Sequence, residues 1–107
     1  MRVELKGKEA ISKENLKLLR STIRKLKKTC KLDKNVVIIL KTLEGKIHGL
    51  SWTSNGKHRI QLTPNECVVC LTDTLIHEWA HFMTEGREHH GDAWGMDYAK
   101  CYRATLK

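Results

Sequence analysis

From Ile11 onward, apolar side chains recur at Leu16, Leu19, Ile23, Leu26 and Cys30, at alternating intervals of three and four. That spacing lays one apolar stripe along a helix and predicts an amphipathic helix over about 12–31. Ser12 stands where an N-cap is needed, and Glu14 lies in the first turn, where negative charge is favoured. A capping box would need Glu or Gln three residues after the cap, where Asn15 stands. The rhythm then changes. Val36-Val-Ile-Ile-Leu40 is short, continuous and β-branched, which reads as a buried strand closed by the turn signal Glu44-Gly45. Ile47–Trp52 and Lys57–Leu62 flank Thr53-Ser-Asn-Gly56, and Asn55-Gly56 suits a tight turn with positive φ, so a hairpin is expected over about 46–63. Ile60 and Leu62 alternate with Arg59, Gln61 and Thr63, leaving one face buried and one wet. Pro64 ends the sheet region. Helical spacing returns over about 66–84, with Val69, Leu71, Leu75, Ile76, Trp79, Ala80 and Met83 as core residues and Gly86 as the stop. A last helix over about 91–104 carries Trp94, Met96, Tyr98, Ala99 and Tyr102. One helix, three strands and two helices make an α+β fold, and 107 residues suit a single domain over 1–107.

Charge changes this picture at one end only. Lys and Arg number 20 against 12 Asp and Glu, a net charge of +8. Residues 1–34 hold 12 basic and 4 acidic side chains, whereas residues 35–107 hold 8 of each. Much of the excess rides on the first helix as Lys17, Arg20, Arg24, Lys25, Lys27, Lys28 and Lys31. Such a face neutralises phosphates and gives non-specific, salt-sensitive DNA binding, although a solvated face accounts for the same pattern. The tryptophans Trp52, Trp79 and Trp94 offer stacking surfaces for unpaired bases, but core packing suits Trp79 and Trp94 better. No apolar run approaches the ~18–20 residues of a membrane span. The basic N-terminus never reaches the apolar middle of a signal peptide, so an intracellular protein, in the cytoplasm or with the nucleoid or nucleus, is expected rather than a secreted one. A monomer is expected as well.

Four cysteines are sparse for a disulfide scaffold, and reduced thiols are expected. Cys67-Val-Val-Cys70 has no partner pair for a structural zinc, because Cys30 and Cys101 lie far apart in sequence. Its cysteines are expected as buried thiols at a helix start.

The chemistry concentrates at His77-Glu78-Trp79-Ala80-His81, an H-E-x-x-H pattern in the middle of the second long helix. Residues one turn apart share a helix face, so the two imidazoles converge on one point and Glu78 reaches the same region. Two histidine nitrogens suit Zn2+, and a catalytic zinc takes a third protein ligand and leaves a position for water. Glu85, Glu88, His89 and His90 compete for that third place. His90 is favoured because Gly91 permits a sharp turn beside it, and His89 is its rival. Zinc chemistry would then make Glu78 the general base in peptide-bond hydrolysis. Tyr98, Arg87 and His89 are candidates to stabilise the oxyanion, with a core tyrosine and solvated loop residues as the plainer alternatives. Lys57–Leu62, taken as an exposed edge strand, offers a place for an extended substrate.

Together with His90-Gly91-Asp92-Ala93-Trp94, the motif resembles the SprT-like (Spartan-type) zinc metalloproteases, in which a histidine-glycine pair follows the helix motif and an aromatic residue stands three positions after the glycine. Trp94 fills that place. The resemblance implies a compact zincin-like αβββαα core with a three-stranded sheet. It also implies His77, His81 and His90 as zinc ligands, Glu78 as catalytic base, and a metalloendopeptidase acting on DNA-associated or DNA-crosslinked protein. It covers the stretch from the hairpin to Trp94. Metzincins fit less well, since the positions of their glycine and third histidine hold Thr84 and Arg87. Many SprT-like proteins continue into a cysteine-rich ribbon or a long tail, whereas this sequence ends soon after the third helix, so recruitment and regulation do not follow from the resemblance. Two other functions suit the same residues: a DNA-binding module with a structural zinc and no turnover, and a zinc peptidase regulator with one dedicated protein substrate.

Overall fold

The structure, a computed structural model, describes residues 1–45, 47–64, 67–84 and 91–106. Its elements are β1 (Val3–Lys6), α1 (Lys13–Thr29), β2 (Val36–Leu40), β3 (Gly49–Ser54), β4 (Lys57–Leu62), α2 (Val68–Met83) and α3 (Asp92–Thr105). A single 3-10 turn, Lys8–Ala10, leads from β1 toward α1.

The sheet has four strands in the order β1-β2-β4-β3, which corrects the three-stranded expectation. β1 adds to β2 in parallel, Val3 beside Val36 and Leu5 beside Ile38, with α1 forming the crossover between them. β2 also pairs in parallel with β4, and β3 returns antiparallel against β4. β4 is therefore an interior strand, not the exposed edge expected for a substrate. Among the described residues, the open edges belong to β3 and β1, because β2 occupies the side of β4 that a free hairpin would leave empty.

Each helix is fixed by its apolar stripe. Ser12 Oγ accepts the Asn15 amide at 3.2 Å and starts α1. Leu19, Ile23, Leu26 and Cys30 are buried against Val36, Ile38 and Leu40 of β2 and Ile60 and Leu62 of β4. From α2, Leu71, Leu75 and Trp79 complete the same core. Trp79 is fully enclosed, and its indole Nε1 donates to the Cys30 carbonyl at 2.8 Å, tying α2 to the end of α1.

Cys30 and Cys101, distant in sequence, meet through a thiol hydrogen bond, and burial pushes the Cys101 thiol well above its usual range. Cys101 Sγ also lies 3.2 Å from Met83 Sδ. Cys67 and Cys70 are exposed, contrary to the expectation of buried thiols, because the first turn of α2 precedes Leu71, where its apolar stripe enters the core.

His58, buried on β4, joins Asp33 Oδ1 through Nε2 at 2.7 Å and Thr53 Oγ1 through Nδ1 at 2.9 Å. The Lys34 ammonium and then the His58 imidazole hold the Asp33 carboxyl down to about 2. Among the described residues, no helix is long and apolar enough to cross a membrane.

Candidate metal centre

Turning Leu71, Leu75 and Trp79 inward directs His77 and His81 away from the sheet core and swings Glu78 sideways toward β3. The two Nε2 atoms lie 3.2 Å apart. Two nitrogens bound tetrahedrally at ~2.0–2.1 Å to one zinc are separated by about 3.3 Å, so the imidazoles are already spaced for a shared ion. Ligand atoms of His77, Glu78 and His81 all fall within 4.8 Å of one another. The donor set, imidazole nitrogen with a carboxylate alongside, fits a divalent transition-metal ion such as zinc.

Glu78 is the buried member, 7 % exposed. A carboxylate removed from water needs hydrogen-bond donors. Ser51 of β3 supplies one, its Oγ donating to Glu78 Oε1 at 2.8 Å. The strand comes this close because residue 49 is glycine. A Cβ there would meet Thr74 Cγ2 at 2.5 Å and Glu78 Oε2 at 3.3 Å. One residue pair further along, Thr53 reaches His58, whose ring stacks on Phe82 at 4.0 Å. Gly49, Ser51 and Thr53, on one face of β3, thus step along Thr74, Glu78 and Phe82, one helical turn at a time.

On the opposite side, α3 supplies an aromatic wall. Trp94 stacks on His81 with ring centres 5.4 Å apart and meets His77 edge-on at 4.8 Å. Its indole Nε1 donates to the His77 carbonyl at 3.4 Å. Trp94 is therefore neither a free stacking platform nor a remote core residue, but a brace for both imidazoles. Tyr98 continues the wall, 5.2 Å from Trp94, and its hydroxyl donates to the Asp73 carboxylate. Burial, with the neighbouring Asp73, pushes the Tyr98 hydroxyl up to about 12. With its O–H already directed at Asp73, Tyr98 has no second donor to offer an oxyanion.

The structure thus brings together His77, Glu78 and His81. His90, the expected third ligand, lies outside the described residues, as do Glu85, Arg87, Glu88 and His89. Of the expected basic set, Lys17, Arg20, Arg24, Lys27 and Lys28 on α1 and Lys31, just past its end, are exposed. Lys25 is half-buried, its Nζ donating to the Thr105 carbonyl at 3.1 Å near the end of α3. A groove of about 530 Å³ joins Lys25 and Lys28 to Lys100 and Arg103 of α3. Sequence reasoning missed those two cations because α3 as a whole carries no marked charge excess. It also missed Ser51, an ordinary polar position in a strand until the fold sets it against α2.

No protein-family model matches the sequence, and no curated protein matches it. Among solved structures, a crystal structure of a Wss1 mutant from Saccharomyces cerevisiae is similar, with a TM-score of 0.64 at 14% identity over 98% of this chain and 89% of that one. At that identity the likeness is one of fold.

Proposed function

We propose that the chain is a zinc-dependent metalloendopeptidase of the SprT-like type, hydrolysing peptide bonds in proteins held on DNA. One observation carries the reading: two imidazole nitrogens 3.2 Å apart beside a buried carboxylate that a sheet hydroxyl holds in place. A structural zinc site has no use for such a carboxylate. The fold likeness to Wss1 supports the assignment at the level of architecture.

His77 and His81 would hold the zinc, with His90 as the third ligand. When bound, zinc supplies a Lewis acid that makes water acidic near neutral pH and polarises a peptide carbonyl. Glu78 does the proton work. Its Oε1 is engaged by Ser51, so Oε2 is the oxygen left to take a proton from water and deliver it to the departing amine. Trp94 keeps both imidazoles in orientation by stacking on one and meeting the other edge-on. The open edge of β3 runs beside Glu78, and an extended substrate would add there as a further strand. The protein works inside the cell as a monomer. Its basic α1 face, widened by Lys100 and Arg103, engages the DNA backbone through charge alone.

The test compares cleavage of a DNA-bound protein by zinc-loaded chain with and without DNA, across a salt series. Cleavage is expected to rise with DNA, and the gain to disappear between roughly 50 and 200 mM salt. A triple variant, Arg20→Gln with Arg24→Gln and Lys28→Gln, should lose the gain and keep the DNA-free rate. No cleavage under either condition overturns the protease reading, and cleavage indifferent to DNA and salt overturns the DNA half.

Ser51→Ala isolates the positioning of the base. The variant should lower kcat by about 10- to 100-fold at unchanged KM and zinc content, since a hydrogen bond to a charged group contributes about 1.5–3 kcal/mol. Ser51→Thr, which restores the hydroxyl, should recover most of the rate. A drop in zinc content or in stability alone would instead make Ser51 a packing residue.

A further inference from the structure

The head of α2 carries two thiols for which hydrolysis has no use. Cys67 is the N-cap of the helix, in extended backbone, and its Sγ accepts the Cys70 amide at 3.3 Å. The sulfurs of Cys67 and Cys70 approach to 2.8 Å. Both side chains are exposed, and Val69 between them is 72 % exposed, so reagents in solution reach the pair. With the sulfurs this close, an N-cap cysteine and one three residues on are within reach of a disulfide. The Cys70 amide aimed at Cys67 Sγ, together with the positive end of the helix dipole, stabilises negative charge on that sulfur.

We propose that Cys67 and Cys70 form a reversible thiol–disulfide site that exchanges with low-molecular-weight thiols and disulfides. The Cys67 thiolate attacks one sulfur of a small disulfide, breaking its S–S bond and releasing one thiolate, and leaves a mixed disulfide on Cys67. The Cys70 thiolate then attacks Cys67 Sγ, forming the Cys67–Cys70 bond and expelling the second small thiolate. The protein pair loses two electrons, the small disulfide gains them, and the two cysteine protons end on the released thiols. Excess small thiol reverses both steps. The assignment stands on the first turn of α2 and does not depend on the protease reading.

The zinc-loaded chain, residues 1–107, is equilibrated in buffers of graded reduced and oxidised glutathione, acid-quenched, alkylated and mapped by mass spectrometry. Wild type should lose two hydrogens within the peptide carrying Cys67 and Cys70, and regain them in excess reduced glutathione. Cys70→Ser should trap one glutathione on Cys67. Cys67→Ser, which keeps a good N-cap and hence the helix, should react at Cys70 at least about tenfold more slowly than Cys67 does. Thiols that remain reduced throughout the series, or oxidation confined to Cys30 and Cys101, overturn the proposal. So does a metal ion that stays on a His77→Ala, His81→Ala variant and shields Cys67 from alkylation, which would make the pair a metal site.

Discussion

If the chain is the zinc peptidase proposed above, Glu78→Gln is expected to lower the rate of peptide cleavage about 10²–10⁴-fold while leaving the zinc content and the melting temperature unchanged. Gln has the shape of Glu, and its amide oxygen can still accept the Ser51 hydroxyl that now reaches Oε1 at 2.8 Å. What it cannot do is take a proton. The variant therefore separates the chemistry of the site from its assembly, which His77→Ala or His81→Ala would disturb together. Measuring kcat/KM alongside metal content by elemental analysis checks it. A variant that cuts at the wild-type rate removes Glu78 from the reaction, and one that loses its zinc makes Glu78 part of the metal's support.

Trp79→Ala, two residues from each histidine of the pair, should act on the fold instead. The indole is fully buried among Leu19, Leu26, Leu71 and Leu75, and its Nε1 is the partner of the Cys30 carbonyl. Removing it leaves a large cavity and an unsatisfied buried acceptor, a loss of about 3–5 kcal/mol. That is a large share of the ~5–15 kcal/mol that holds a domain of this size together. Urea unfolding of the zinc-free protein, compared with wild type, reads the difference directly. Trp79→Phe should retain much of the packing and cost less. A midpoint that does not move would mean that the core closes around the missing ring.

The parts of the site that were legible in sequence are those whose geometry is local. His77, Glu78 and His81 lie on one helix, so the spacing of four alone brings the imidazoles together. The first helix was equally plain, since Leu19, Ile23 and Leu26 leave no other face to bury. What failed to show depends on partners distant in the chain. β1 is four residues long and half charged, and its alternation of Val3 and Leu5 with Glu4 and Lys6 becomes a strand only because β2 offers an edge. The alternation along β4 reveals which face is buried but not how many neighbours the strand has, so an interior strand read as an edge. Ser51 gives no signal until β3 and α2 are set side by side, and the meeting of Cys30 with Cys101 spans α1 and α3. Helical periodicity also overstated the burial of Cys67 and Cys70, because a stripe says which side faces inward and not where along the helix the interior begins.

The ladder from β3 to α2 ties the placement of the Glu78 carboxylate to the left-handed backbone of two residues at the tip of the hairpin. Asn55 and Gly56 adopt φ of 51° and 71°, the left-handed pair that lets Ser54 face Lys57 and Ser51 face Ile60. If the turn gained or lost one residue, the pleat would invert. Leu50 and Trp52 would then point at the helix, and the hydroxyl that steadies Glu78 would point into water. An Asn-Gly turn that touches no reacting atom thus acts as a timing mark for the whole site, counting the strand so that the polar rung and the carboxylate arrive together.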